Sequence, residues 1–418
     1  MDTPSTESSP TYELNRPAPV QPLTIGVPCE TFSGESRVSL VPATVFLLKK
    51  KGLNVVVQSG AGEAAGFPDE QYQKEGAEIK EKRADVFSQA DVILQVRAMG
   101  NNKDAGKSDL GLLREGQTII AMCDPLSEPE ILRDIASEKV TVIALELLPR
   151  ITRAQSMDVL SSMATIAGYK AVLLAANITP RMFPMMMTAA GTVKPAKVFI
   201  MGAGVAGLQA IATAKRLGAI VKAYDVRSVV KEQIESLGGK FVEVNLDTNS
   251  SESSGGYAKE MGPEFLKKQQ EVMTEVVAES DVVITTAAIP GKKSPILVTA
   301  EMAKGMKPGS VIIDLAAERG GNCELTKLNE TVVEQGITIL GPGNIPSMVP
   351  FHASEMFARN ITTLLLHLVK DGKLNLDTED EIIRDTLVTH QGKLVNTRIR
   401  EMLNMEPLGP ATPYKKTE

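Results

Sequence analysis

Residues Lys197–Asp225 read KVFIMGAGVAGLQAIATAKRLGAIVKAYD, and the fold follows from them. A short apolar, β-branched run (Val198–Met201) enters a turn in which Gly202, Gly204 and Gly207 keep the G-x-G-x-x-G spacing. An Ala/Leu-rich helical stretch follows, then a second strand from Ala219 to Tyr224 that ends on Asp225. Each part has a physical task in holding a dinucleotide. Gly202 permits the tight turn, Gly204 lets the backbone approach a pyrophosphate, and Gly207 lets helix and strand pack closely. The helix N-terminus offers unpaired N–H groups and the positive end of its dipole to the phosphates. Asp225, 18 residues beyond Gly207, is placed to accept both hydroxyls of an adenosine ribose and to repel a 2′-phosphate. This favours NAD(H) over NADP(H), although Arg227 stands two residues further on.

The chain has 418 residues, which is long for one core and makes two domains the default. Its 43% apolar and 23% charged residues are ordinary for a globular protein, and a net charge of −6 leaves no footprint for nucleic acid or an anionic membrane. Uninterrupted apolar runs such as Ala171–Ala176 and Leu364–Leu366 are core-sized, so no direct membrane insertion is expected. Cys29, Cys123 and Cys323 lie far apart without a C-x-x-C pair; neither a metal site nor a disulfide framework is expected, and a reducing compartment suits them. Residues 1–22 are rich in Ser, Thr, Pro and Glu and read as a disordered extension rather than a secretory signal or transit peptide. Residues 404–418 read as a tail.

Between these ends, short β-rich runs alternate with helical ones. Leu23–Pro28, Leu53–Gly60, Asp91–Val96, Gln117–Met122 and Val140–Leu147 read as buried strands, with helices at Ala43–Lys51, Asp69–Glu75, Lys82–Gln89 and Pro129–Ser137, the last with Ser127 as a cap candidate. A second series starts at Lys197 and continues through Lys240–Asn245, Asp281–Ala288, Ser310–Ala317 and Gly336–Gly341. Alternating β and α argues for parallel, doubly wound sheets. The expected fold is therefore α/β, two Rossmann-like domains with the cofactor cleft between them. Met157–Ala176 and Met185–Gly191 read as helices between the two series, and Ser354–Val369 as a long helix returning to the first domain. The expected domains are 23–149 plus 351–403 for the first, discontinuous one, and 150–350 for the nucleotide domain. The polar segment 247–262, DTNSSESSGGYAKEMG, is long for a connection and reads as a mobile lid, with Tyr257 beside Gly255 and Gly256.

Four stretches carry a family resemblance: ETFSGESRVSLVP (Glu30–Pro42), PRITRAQSMDVLSSMATIAGYKAV (Pro149–Val172), the glycine turn, and TTAAIPGKKSPILVT (Thr285–Thr299). They resemble the NAD(H)-binding component of proton-translocating nicotinamide nucleotide transhydrogenase, with alanine dehydrogenase as the nearest relative in fold. The resemblance runs from about Leu23 to Met402, and RAQSMD is its most specific piece. It implies that Arg150, Gln155, Asp158 and Ser161 act near the nicotinamide, with Ser156 and Met157 lining the same loop. It further implies cofactor contacts at Val205, Asp225, Val226, Arg227, Gly256, Gln269 and Ala288, and a mobile-loop role for Tyr257 over the nucleotide. Read without the family, an Arg, an amide and a carboxylate within nine residues can hydrogen-bond a carboxamide and its ribose. The same residues equally suit a capped helix start with Asp158 or Ser156 as N-cap.

Oxidising an amino acid needs a carboxylate anchor and an acid/base group. In alanine dehydrogenases these include an Arg, a Lys, a His and an Asp; here the matching positions hold Arg37, Gln95, no His within Ala121–Pro125, and Glu318. Hydride exchange between two nicotinamide rings moves no proton at a heteroatom, so alignment and exclusion of water suffice. Arg37 is then expected in a structural ion pair. The resemblance implies NADP(H) on a partner subunit, a proton path in membrane-spanning partner subunits, and a cytoplasmic chain peripheral to the inner (plasma) membrane. It also implies a homodimer, which the Met-rich Arg181–Gly191 segment would help to form. Alanine dehydrogenase and a non-catalytic NAD-binding protein are the alternatives.

Overall fold

The computed structural model describes residues 22–244, 263–406 and 408. Among them the β-branched runs pair into two large sheets. In the first sheet the strand order is Lys393–Leu394, Leu387–His390, Thr141–Ala144, Thr118–Met122, Val92–Arg97, Thr24–Val27, Asn54–Gln58, Glu78–Lys80. Its pairings are parallel except where Leu387–His390 meets Thr141–Ala144 and Lys393–Leu394. In the second sheet the order is Lys240–Phe241, Ile220–Tyr224, Lys197–Met201, Val282–Thr285, Val311–Asp314, Ile337–Leu340, Thr331–Glu334, with only the last pairing antiparallel. Strand order reverses between Thr24–Val27 and Val92–Arg97 in the first sheet, and between Lys197–Met201 and Val282–Thr285 in the second. At such switch points the connections leave in opposite directions and open a crevice at the strands' carboxyl ends. The fold is α/β with two Rossmann-like units, as the alternating pattern implied.

Two helices join the units. Val159–Ile178 buries Val159, Met163 and Ile166 in the core of the first unit, and Ala171, Val172 and Ala175 in that of the second. Pro350–Leu368 returns to the first core through Ala353, Phe357, Ile361, Leu364, Leu365 and Leu368, an i, i+3/i+4 stripe. By length and composition alone Val159–Ile178 could cross a membrane, with mean hydropathy 1.5 over 18 residues. Ser161, Ser162, Gly168 and Lys170 interrupt its apolar sequence. Its division between two cores is what a joining helix of a two-unit protein requires.

Three expectations need correction. Met185–Gly191 is not helical: Met186–Thr188 and Gly191–Val193 form a small antiparallel hairpin, turning at Gly191 with φ +110°. Its composition favours helix. The glycine at a positive φ and the pairing of Met186 with Val193 override that preference locally. The strand at Lys240 spans only Lys240–Phe241, and segment 247–262 with Gly256 and Tyr257 lies outside the described residues. Ser127 is not a cap. Helix Ile131–Ser137 is preceded by Glu130 without a side-chain cap, and the Ser127 hydroxyl instead accepts from Arg319 of the second unit.

Candidate functional site

The glycine turn is built from backbone. At Gly202, φ is +102° and a Cβ would lie 2.5 Å from the Thr286 hydroxyl. That hydroxyl donates to the Gly202 carbonyl at 3.1 Å and so ties the turn to the neighbouring strand's end. At Gly207 a Cβ would sit 1.9 Å from the Gly202 carbonyl oxygen, so only glycine lets the helix Val205–Arg216 start so close to its strand. Gly204 differs: an added Cβ meets nothing within 4 Å. It is the N-cap residue, its surface faces open space, and Val205 beside it is 41% exposed. A tight turn ending in an accessible helix N-terminus fits a pyrophosphate. Ala288 is exposed three residues beyond the strand Val282–Thr285, in a loop whose Ala287 N–H and carbonyl are both held by the Asn322 side chain (3.0 and 2.9 Å).

Asp225 ends its strand as the spacing required, but its oxygens are occupied. Oδ1 accepts from the Arg227 backbone N–H (2.9 Å) and Nε (3.0 Å), and Oδ2 from the Ala203 N–H (2.7 Å) and Arg227 Nη2 (3.1 Å). A carboxylate offers about four acceptor positions. Any further donor would reach Asp225 only by displacing one of these. Val226 is half-buried beside the pair.

The second group forms on RAQSMD. Thr152–Met157 is a 3₁₀ turn, in which every third residue shares a face. Ala154 and Met157 bury in the first core while Gln155 and Ser156 stay exposed. Asp158 then starts the joining helix as its N-cap, its Oδ1 accepting from the Ser161 N–H at 3.0 Å and its Oδ2 from the Ser161 hydroxyl. Of the two alternatives left open by the sequence, the capped helix start is the one seen, and it stands beside a pocket. Asp158 is a cap, and Arg150, Gln155, Asp158 and Ser161 line one open pocket of about 190 Å³ with Pro149, Ile151 and Ala154. The joining helix also fixes where this pocket lies. Gly168, ten residues after Asp158, approaches Ala206 of the glycine-turn helix so closely that a Cβ would lie 2.1 Å from the Ala206 carbonyl oxygen. At 1.5 Å per residue the pocket stands about 15 Å along the helix from that crossing.

Gln269 is not gathered into either group. It is half-exposed on helix Pro263–Glu279, whose Met273, Val276 and Val277 pack on the opposite face of the second sheet from the joining helix.

A third polar cluster fastens the units across the crevice. Arg37 Nε and Nη2 donate to the two oxygens of Glu35 at 2.7 Å, and Nη2 to Asn344 Oδ1 at 3.1 Å. Arg97 donates to Glu35 (3.2 Å), Asn101 (2.6 Å), Asn344 (3.0 Å) and Glu318 (3.4 Å), with the ring of Phe32 against its guanidinium. The Glu35 side chain is 0% exposed. Burial pushes its carboxyl up, but the hydrogen bonds and charge of Arg37, with the Ser347 hydroxyl, hold it down at about 2. Glu30, deeper in the crevice, is driven the other way, to about 8, by burial and the Glu35 charge, against the N–H groups of Val96 and Arg97. Arg37 is thus in the expected ion pair, and Gln95 is buried, donating to Asp109 at 3.3 Å. A further link joins Arg319 to Asp124 at 2.7 Å.

Profiles described as Alanine dehydrogenase/PNT, N-terminal domain and C-terminal domain match residues 26–167 and 171–397. The chain belongs to the alanine dehydrogenase/PNT family. Over 375 residues it is 48% identical to the first part of the NAD(P) transhydrogenase alpha subunit of Rhodospirillum rubrum, covering 89% of this chain and 97% of that protein. A solved transhydrogenase from Sinorhizobium meliloti matches with TM-score 0.77 at 42% identity, over 90% of this chain and 99% of the other. An L-alanine dehydrogenase matches with TM-score 0.76 at 25% identity, over 91% and 99%. The backbone is common to both branches of the alanine dehydrogenase/PNT family, so what separates them lies in side chains. Glu35, Asn322, Asn344 and Asn360 escaped the sequence reading, because each has a partner distant in the chain.

Proposed function

We propose that this chain is the NAD(H)-holding, peripheral component of a proton-translocating transhydrogenase, exchanging hydride with NADP(H) held on a partner subunit. The observation that carries this reading is the pocket in which Arg150, Gln155, Asp158 and Ser161 converge at the start of the joining helix. When bound, NAD(H) supplies the hydride-carrying carbon of its nicotinamide ring. The residues supply everything else. The helix N-terminus at Gly204 and Val205 faces the pyrophosphate, with Gly202 and Gly207 shaping its approach. Asp225, with Val226 and Arg227, takes the adenosine ribose, and Ala288, in the loop beyond the strand Val282–Thr285, supplies a further contact. Arg150, Gln155, Ser156 and Asp158 orient the nicotinamide and its ribose, Ser161 holds the Asp158 carboxylate in place, and Met157, expected along the same loop, instead anchors the turn in the first core.

Alignment is sufficient for such an exchange. The buried positions agree with that demand, since Arg37 spends its donors on Glu35 and Asn344 and leaves the alanine dehydrogenase-type anchor internally neutralised. The identity of 48% to a transhydrogenase subunit, against 25% to the solved alanine dehydrogenase, points the same way. The proposed assembly is a homodimer of this chain on the cytoplasmic side of the inner (plasma) membrane, held there by NADP(H)-binding and membrane-spanning partners that couple the exchange to proton movement. The test is to mix the purified chain with a verified NADP(H)-binding subunit and follow hydride exchange from NADH to an NADP analogue. Exchange is expected, together with no alanine-dependent NAD reduction at alkaline pH. Alanine oxidation without exchange overturns the proposal.

A further inference from the structure

The return helix Pro350–Leu368 carries two buried polar side chains with an unpartnered oxygen, Thr362 and Asn360, and only the second also reaches the RAQSMD turn. Asn360 is 8% exposed in a helix whose neighbours Phe357, Ile361 and Leu364 are fully buried and apolar. Its Oδ1 has no hydrogen-bond partner. A half-satisfied amide in an apolar setting costs stability relative to an apolar side chain, so packing gives no reason for it. The other half of the amide does. Nδ2 donates to the Ser156 carbonyl at 2.8 Å. Exchanging oxygen and nitrogen would set two acceptors face to face, so the orientation is fixed.

Ser156 lies one residue beyond Gln155 and two before Asp158, where the 3₁₀ turn passes into the joining helix. A donor on its carbonyl fixes the plane of the peptide between Ser156 and Met157, adjoining the peptide through which Gln155 enters the turn and whose carbonyl accepts from the Asp158 N–H at 3.3 Å. The buried side chains Ala154 and Met157 hold the turn against the core without setting that plane. The outer tie, Arg153 to Asp380 at 2.7 Å, is half-exposed and therefore weak. We infer that Asn360 is a positioning residue: from 204 residues away, its amide sets the orientation of Gln155 toward the nicotinamide pocket. The inference rests on the hydride-exchange reading for its kinetic consequence, but not for its structural one.

The experiment uses the full chain with Asn360→Asp, which keeps the shape but turns an acceptor to the carbonyl, and Asn360→Leu, which removes the amide without burying a charge. Hydride exchange at saturating NADH is expected to fall about tenfold or more, since a displacement of ~1 Å can cost on the order of a hundredfold. NADH affinity is expected to stay within about twofold, and the melting temperature of Asn360→Leu not to fall. Hydrogen exchange of the amides of residues 155–158 is expected to quicken in both variants. Unchanged protection of those amides in Asn360→Leu overturns the inference, as does a loss of rate matched by an equal loss of NADH affinity. If the unaltered chain exchanges no hydride with a verified partner, the proposed function fails, and the amide protection alone decides the role of Asn360.

Discussion

The glycine turn and the RAQSMD turn are the two halves of one candidate site, and they are made by opposite means. The first is specified within eleven residues by missing side chains: Gly207 allows the close approach, Gly204 leaves the helix end open, and Gly202 takes φ +102°. The second is specified by side chains that arrive from elsewhere. Ala154 and Met157 anchor in the first core, Asn360 reaches in from the return helix, and Arg153 is tied to Asp380. A turn defined by backbone tolerates almost no change at Gly202 and Gly207 but asks little of distant residues. A turn defined by side chains can be misaligned by substitutions that touch no ligand.

The contrast can be broken or sharpened by substitution. The largest effect is expected where both turns lose their common frame. Glu35→Gln leaves the buried Arg37 uncompensated and should cost about 3–5 kcal/mol in urea unfolding. The same carboxyl gives the protein an acid limit. Its folded value of about 2 lies below the ordinary 4.5, so its contribution is present above about 4.5 and lost as pH falls toward 2. That loss amounts to about 3 kcal/mol. A stability–pH curve of Glu35→Gln should be flatter across that window; an equally steep curve would assign the acid limit to other groups.

Next in size is Gly207→Ala, which places a methyl against the Gly202 carbonyl and should destabilise the chain by about 1–3 kcal/mol, with NADH binding falling alongside. Gln155→Asn should behave differently, leaving the melt unchanged and NADH binding nearly so, while hydride exchange slows by up to about a hundredfold. Equal losses of rate and affinity would make Gln155 an ordinary contact. The smallest structural effect is expected at Gly204→Ala. Open space at that position predicts a stability change within about 0.5 kcal/mol, so any loss of NADH affinity reports on the phosphate approach alone. A large drop in stability would contradict the exposed helix end.

The same contrast explains what the sequence made legible. Strand–turn–helix at Lys197–Arg216 could be read because every determinant is local and each glycine has a steric reason. RAQSMD could be placed at the head of a helix, but not braced there, because Asn360 gives no signal in a stripe of apolar residues. Glu35 and Ser347 meet across 312 positions and the Ser36 N–H reaches Ser347 across 311, beyond any periodicity. The hairpin at Met186–Val193 was misread for a related reason. Its Met and Ala residues prefer helix locally, and only the Gly191 turn and the pairing of Met186 with Val193 decide otherwise. The strand Thr331–Glu334 and the C-terminal strands Leu387–His390 and Lys393–Leu394 went unread because they are only two to four residues long, and their antiparallel pairings are what complete them.

The contact between Gly168 and Ala206 has one more consequence. It pins the joining helix against the glycine-turn helix at a single crossing, so the stretch from Asp158 to Gly168 acts as a ruler graduated in residues. Inserting one residue into it would swing the RAQSMD turn by about 100° around the axis. Four would bring the bearing back to within about 40° yet shift it by about 6 Å. The register of this stretch is thus a quantity the protein has to keep, independently of which side chains occupy it.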